Sequence, residues 1–226
     1  MSVTHLNAEE LEKLFMLSQR VCMDYRDPKA GPYDLVYVYT QTDDNFSSGL
    51  KKAAEIARSG GAREIGVSEG VAGSVSFTIE KTTTQLRELG VDEGQTPIVG
   101  FTIPGNLNTG SEADVLVAYL LQKYELTGRT ITLGVTTVGF HLFRAFITTV
   151  TTIKRTGAPI AVYAIPGVPL PWTESVVHSQ GIVSGRRSEL LVPELQRMER
   201  YRAPEFGGML SVDAVNTYLS WRDDQS

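Results

Sequence analysis

Five apolar, β-branched runs recur along this chain, each followed by a segment long enough for a helix, and that alternation leaves few architectures open. The runs span 34–40, 63–68, 96–103, 129–135 and 159–165, each with Val, Ile, Leu, Phe or Tyr at its centre. Strands that read as continuous apolar stretches are buried on both faces, as in parallel sheets joined by right-handed helical crossovers. The fold expected is therefore α/β: a doubly wound, mainly parallel five-stranded sheet with helices on both faces, a Rossmann-like three-layer sandwich. Asn7-Ala8-Glu9-Glu10 opens an additional N-terminal helix running to about Tyr25, with Asp27-Pro28 as its stop. Residues 1–32 are read as an N-terminal helical extension and 33–226 as a single domain, a division that 226 residues accommodate around one core.

Composition excludes several function classes. Hydrophobic content of 42% with 21% charged residues is that of a soluble globular chain. A net charge of -5, with no basic run longer than Lys51-Lys52 or Arg186-Arg187, argues against nucleic acid as a partner. Cys22 is the sole cysteine and falls at helical spacing with Leu14, Leu17 and Val21, so it reads as core rather than nucleophile. With no disulfide, no signal segment and no long apolar span, the expectation is a cytoplasmic protein with no membrane partner. His5, His141 and His178 lack metal-ligand spacing, and no metal is expected.

In a doubly wound sheet the loops after the strands open on one edge, so polar residues far apart in sequence converge there. They are Gln41, Asp43, Asp44 and Asn45; Ser68, Glu69 and Gly70; Asn106, Asn108 and Thr109; and Thr136, Thr137 and His141. Thr109 and Glu112 have capping-box spacing at the start of a helix. His141 and Arg144, three residues apart, share one face of a helix's first turn, where unpaired N–H groups favour an anion. The Asp43-Asp44 pair fits ribose hydroxyls, a hydrated cation or plain helix capping. No GxGxxG or GxxxxGK[ST] is present, which removes the usual dinucleotide and P-loop signatures. Gly66-Val67-Ser68-Glu69-Gly70 matches the nucleophile elbow GxSxG, with His141 as base and Asp43 or Asp44 as orienter, although the order of acid, nucleophile and base differs from that of α/β-hydrolases.

Four pieces in order carry a resemblance: Ser68-Glu69-Gly70, Asn108-Thr109 with Glu112, Thr136-Thr137 leading to His141 and Arg144-Ala145, and then Trp172 with a helix bearing Glu189 and Glu194. From about Tyr33 to Tyr201 the chain resembles the YdcF/SanA/ElyC family of Rossmann-like proteins, and specifically its soluble YdcF branch. That resemblance implies binding of S-adenosylmethionine or a related nucleotide. Its first loop, Gln41 to Asn45, departs from the Gly-rich loop of relatives, and two carboxylates there would repel a pyrophosphate.

The expected function is binding of a nucleotide-like or S-adenosylmethionine-like anionic small molecule at the carboxyl edge of the sheet, as a transferase or a hydrolase if chemistry follows. His141 would be the acid/base or contact residue, Arg144 the anion clamp, and Asn108 and Thr109 the cradle. Trp172 would stack on a ring of the ligand and Arg186 or Arg187 would close over it. On this reading His141→Ala and Arg144→Ala abolish binding with little change in melting temperature. The alternatives are a non-catalytic scaffold, dimeric through the N-terminal helix or the 209–221 helix, and a serine hydrolase using Ser68.

Overall fold

The computed structural model of the chain describes residues 8–23, 31–72, 75–124, 127–178, 183–203 and 208–225. The expected helix stop at Asp27-Pro28, and His5, lie outside them. In chain order the elements are α1 (Ala8–Met23), β1 (Leu35–Val38), α2 (Asp43–Arg58), β2 (Ile65–Ala72), β3 (Val75–Phe77), α3 (Ile79–Glu88), β4 (Ile98–Asn106) and α4 (Thr109–Tyr124). They continue with β5 (Ile131–Thr137), α5 (Gly139–Thr156), β6 (Ile160–Pro166), β7 (Ser175–His178), β8 (Val183–Arg186), a 3-10 turn (Arg187–Leu190), α6 (Leu191–Tyr201) and α7 (Val212–Asp224).

All five expected strands are present and parallel, in the order β4-β2-β1-β5-β6. A sixth short strand, β3, joins antiparallel to the end of β2. The chain winds outward from β1 through β2 to β4, then returns to β1's other side with β5 and β6. The order therefore reverses between β1 and β5, the switch point where open α/β sheets form their crevice.

Every residue of β1 is buried, and its side chains divide between two cores. Leu35 and Tyr37 face the layer containing α1, α4, α5 and α7, together with Leu133, Val135 and Val162. Val36 and Val38 face the α2 side, together with Ile65, Val67 and Tyr163. This period-two division with apolar residues on both sides makes the three-layer sandwich. The absence of a side chain at Gly134 makes room for residues of the adjoining strands: a Cβ there would lie 2.6 Å from Ile165 Cδ1 on β6 and 3.2 Å from Val36 Cγ2 on β1. At the opposite edge of the sheet, the buried Asp34 accepts from Arg129 (2.6 and 2.7 Å) and from the Thr132 amide (2.9 Å), joining β1 to β5.

Three local expectations are corrected. Phe77, expected to open a helix, ends β3, and α3 starts at Ile79 behind the Thr78 cap. Ser68, Glu69 and Gly70 do not form a strand-to-helix turn: β2 runs through them to Ala72, with Ser68 and Glu69 registered on Phe101 and Thr102 of β4 and Gly70 on Phe77 of β3. Backbone pairing on both sides holds the segment extended, so no nucleophile elbow forms. The stretch after the Pro/Gly-rich loop contains a hairpin, β7–β8, that was not anticipated.

Helix α1 packs on α5, β6 and α7 through Leu17 and Val21, and Arg20 bonds Asp223 of α7 at 2.8 Å. Leu17→Ala is expected to cost about 2–4 kcal/mol of unfolding free energy in urea titrations, whereas Phe15→Ala, at a position 65% exposed, should change it by less than about 0.5 kcal/mol.

Candidate functional site

The first turn of α4 gathers the rim. Asn108 caps it, its Oδ1 accepting from the amides of Gly110 (2.9 Å) and Ser111 (3.1 Å). The Thr109–Glu112 capping box is thus replaced, and both side chains are released for longer-range contacts. Glu112 is 2% exposed and its Oε1 accepts from the Tyr37 hydroxyl (3.0 Å), the Thr40 amide (3.0 Å) and the Ser68 hydroxyl (2.9 Å). Thr40 Oγ1 lies 2.7 Å from Ser68 Oγ. The ends of β1 and β2 are thereby tied to one carboxylate. Burial pushes the Glu112 carboxyl up to about 6, against the lowering effect of the donors around it.

Thr109 turns the other way, accepting from Arg144 Nη1 at 2.9 Å. Arg144 and His141 share a face of α5 as their spacing predicts, but the face is buried rather than solvent-facing. Between them sits Glu194 of α6. Its Oε2 accepts from Arg144 Nε at 2.6 Å and lies 3.1 Å from His141 Nδ1, while its Oε1 accepts from Arg144 Nη2 (3.3 Å) and Arg197 Nη1 (3.0 Å). His141 Nδ1 is also 3.1 Å from Arg144 Nη2. Arg144 can only donate and Glu194 only accept, so Nδ1 bonds the guanidinium when unprotonated and the carboxylate when protonated. The Tyr39 ring meets the imidazole edge to face at 6.4 Å.

A guanidinium has five N–H donors, and the contacts of Arg144 engage four, leaving one on Nη1. Arg144 lines a recess of about 640 Å³ between α4 and α5, together with Asn108, Thr109, Asp114 and Arg155, with Tyr201 on its wall. The Tyr201 ring centre is 6.0 Å from the Arg144 guanidinium carbon.

The crevice between β1 and β5 is treated differently. Val176 on β7 and Leu190 of the 3-10 turn pack on Val138 and Phe140, where α5 begins. The strap they belong to is fastened to the first turn of α2. Thr42 Oγ1 and Asn45 Nδ2 donate to the Val177 carbonyl (2.7 and 3.2 Å), and Asp44 Oδ2 accepts from the Val177 amide (2.9 Å). Arg187, 2% exposed, donates to Asn45 Oδ1 (3.0 Å), the Asp44 carbonyl (3.1 Å), Glu174 (2.9 Å) and the Pro171 carbonyl. Thr136 and Thr137, at the end of β5, are fully buried, and their hydroxyls have no hydrogen-bond partner among the described residues.

The predicted site residues therefore fall into separate groups. Asn108, Thr109 and Arg144 meet at the recess, with His141 behind Arg144. Ser68 and Glu112 form the adjoining buried network, in which Ser68, 1% exposed, gives its hydroxyl to Glu112 and not to His141. Asp44 and Asn45 hold the strap, and Gln41 is buried beside them in sequence. Asp43 is exposed and paired with Lys81 at 3.0 Å, and Glu69 accepts from Thr102 within the sheet at 2.8 Å. Trp172 is half exposed and Arg186 points outward; its neighbour Arg187 is the buried member of the pair. Tyr37, Tyr39 and Arg197 were not anticipated. A tyrosine inside an otherwise aliphatic strand was the available signal, because a buried hydroxyl needs a polar partner.

Among the described residues no cluster of His, Cys, Asp and Glu could hold a metal ion, and no helix is long and apolar enough to cross a membrane. Burial raises the Cys22 thiol to about 11, which keeps it protonated at neutral pH. Comparisons with known proteins found no matching family model, no matching curated protein and no matching solved structure.

The burial of Glu194 reverses the expectation that Arg144 is dispensable for stability. Arg144→Ala leaves a carboxylate in the interior with part of its compensation gone and is expected to cost about 3–5 kcal/mol; Arg144→Met with Glu194→Leu should recover most of it in denaturant titrations. A second outcome follows from Glu112. Its folded-state affinity for a proton exceeds the ordinary value, so its stabilising contribution is complete below about pH 4.5 and is lost as pH rises through about 6. The unfolding free energy of Glu112→Gln relative to wild type should therefore grow by about 2 kcal/mol between pH 4.5 and 7. Asp34, which Arg129 and the Thr132 amide hold below its ordinary value despite burial, titrates on the acid side of that window and cancels in the comparison.

Proposed function

We propose that this chain binds a small anionic molecule, nucleotide-like or S-adenosylmethionine-like, in the recess between α4 and α5 at the carboxyl edge of the sheet. The observation that carries the reading is Arg144: a buried guanidinium, fixed on one side by Glu194, with one N–H left over where it lines the recess beside Thr109. A cation held this rigidly loses little freedom when an anion arrives. The N-terminal turn of α4 contributes the positive end of its dipole at the same place. A volume of about 640 Å³ suits a nucleotide-sized molecule. The resemblance of the Asn108-Thr109 and His141-x-x-Arg144 pieces to the YdcF/SanA/ElyC family supports the same class of ligand.

A second reading, an interaction protein or homodimer, draws on α1, where Leu11, Phe15, Met16 and Met23 are exposed. The serine hydrolase has less support, because Ser68 is enclosed and bonded to Glu112.

The test is thermal unfolding against a panel of S-adenosylmethionine, adenine and guanine nucleotides and inorganic phosphate. A true ligand at a hundred times its dissociation constant should stabilise the protein by about 2.7 kcal/mol. Arg144→Lys keeps the charge but loses the fork, and should weaken binding at least about tenfold. A flat response of the wild type across the panel would overturn the proposal.

A further inference from the structure

The far end of the recess has a different chemistry from the Arg144 end. Asp114, one and a half turns along α4 from Thr109, accepts from Thr152 Oγ1 (3.0 Å) and Arg155 Nη2 (2.6 Å). Both bonds land on Oδ1, and Oδ2 has no hydrogen-bond partner among the described residues. Thr152 is buried and fixes the carboxylate's orientation, while Arg155 matches its charge and keeps further N–H donors of its own. A charge-matched pair offering one acceptor and adjacent donors takes hydroxyl groups in preference to a second ion. A bare phosphate would gain nothing from Asp114, which repels it.

We infer that the ligand is a sugar carrying both a vicinal diol and an anionic substituent, with Asp114 and Arg155 reading the diol while Arg144 and the α4 terminus hold the anion. This inference rests on the reading of the recess as the ligand site. Thr109, Arg144 and Asp114 all line the recess, and Asp114 lies five positions beyond Thr109 on α4, about 7.5 Å further along the helix axis, so the anion-holding and diol-reading groups sit at different depths of one cavity. Tyr201 and Met209 supply an apolar wall for the ring or for an attached base. The shared chemistry fits a free sugar phosphate and a ribonucleotide alike.

Calorimetric titration of wild type and Asp114→Asn with ribose 5-phosphate, adenosine 5′-monophosphate and its 2′,3′-dideoxy counterpart separates these possibilities. Asp114 is half exposed and its ion pair contributes little to folding, so the variant should remain folded. In the wild type, adenosine 5′-monophosphate should bind about tenfold more tightly than the dideoxy compound, and in Asp114→Asn the ratio should fall to about twofold or less. Binding of ribose 5-phosphate at comparable strength supports a sugar phosphate as the natural ligand, and binding of the nucleotide alone supports a ribonucleotide. Equal affinities with and without the diol would overturn the inference and leave the anion site standing. Absence of binding by every phosphorylated probe would overturn the inference, and the same absence together with a flat response to S-adenosylmethionine would overturn the reading of the recess as well.

Discussion

The rim of this protein is organised by the burial of Glu194. A carboxylate withdrawn from water is tolerated only when charge and hydrogen bonds replace its hydration. Here Arg144, His141 and Arg197 do so, and in meeting that demand they dictate where three helices go. α6 must lie against the first two turns of α5, and the Arg144 side chain, held at Nε and Nη2, can turn only its remaining nitrogen toward α4. Thr109 completes the contact. The guanidinium is thus held by Glu194 on one side and by Thr109 on the other, with one Nη1 N–H left where it lines the recess.

Glu112 performs a comparable task for the sheet. Three residues after Thr109, it faces inward and collects the Tyr37 hydroxyl, the Thr40 amide and Ser68, so that β1, β2 and α4 share one acceptor. Its hydrogen bonds oppose the cost of its burial only in part, which is why its proton is held more tightly than that of an exposed glutamate. The two carboxylate networks meet at a single helical turn.

The strands were legible because a parallel sheet needs apolar residues on both faces, and 35–39 and 160–165 show that pattern without interruption, while 131–135 carries Ile, Leu and Val at alternate positions. That Thr109, Glu112 and Arg144 lie in the first turns of helices following strands was legible from the alternation of strands and helices. What each residue does there was not. Glu69-Gly70 has the composition of a turn, yet β3 and β4 hold it extended. β7 and β8 are four residues each, with few apolar positions, behind a run of Pro and Gly that reads as loop. Arg186 and Arg187 are adjacent, and only the location of Asn45 and Glu174 decides that the second is buried. Glu194 is indistinguishable by local pattern from Glu199 of the same helix, which is only partly buried.

The strand order has a consequence for biosynthesis. β1 pairs on one side with β2, which follows it closely, but its other neighbour, β5, lies nearly a hundred residues later, as the Asp34–Thr132 bond shows. The half made of β1, α2, β2, α3, β4 and α4 leaves the ribosome first, with Leu35 to Val38 presenting an open hydrogen-bonding edge. Until β5 emerges, that edge is open to mispairing and to chaperone capture.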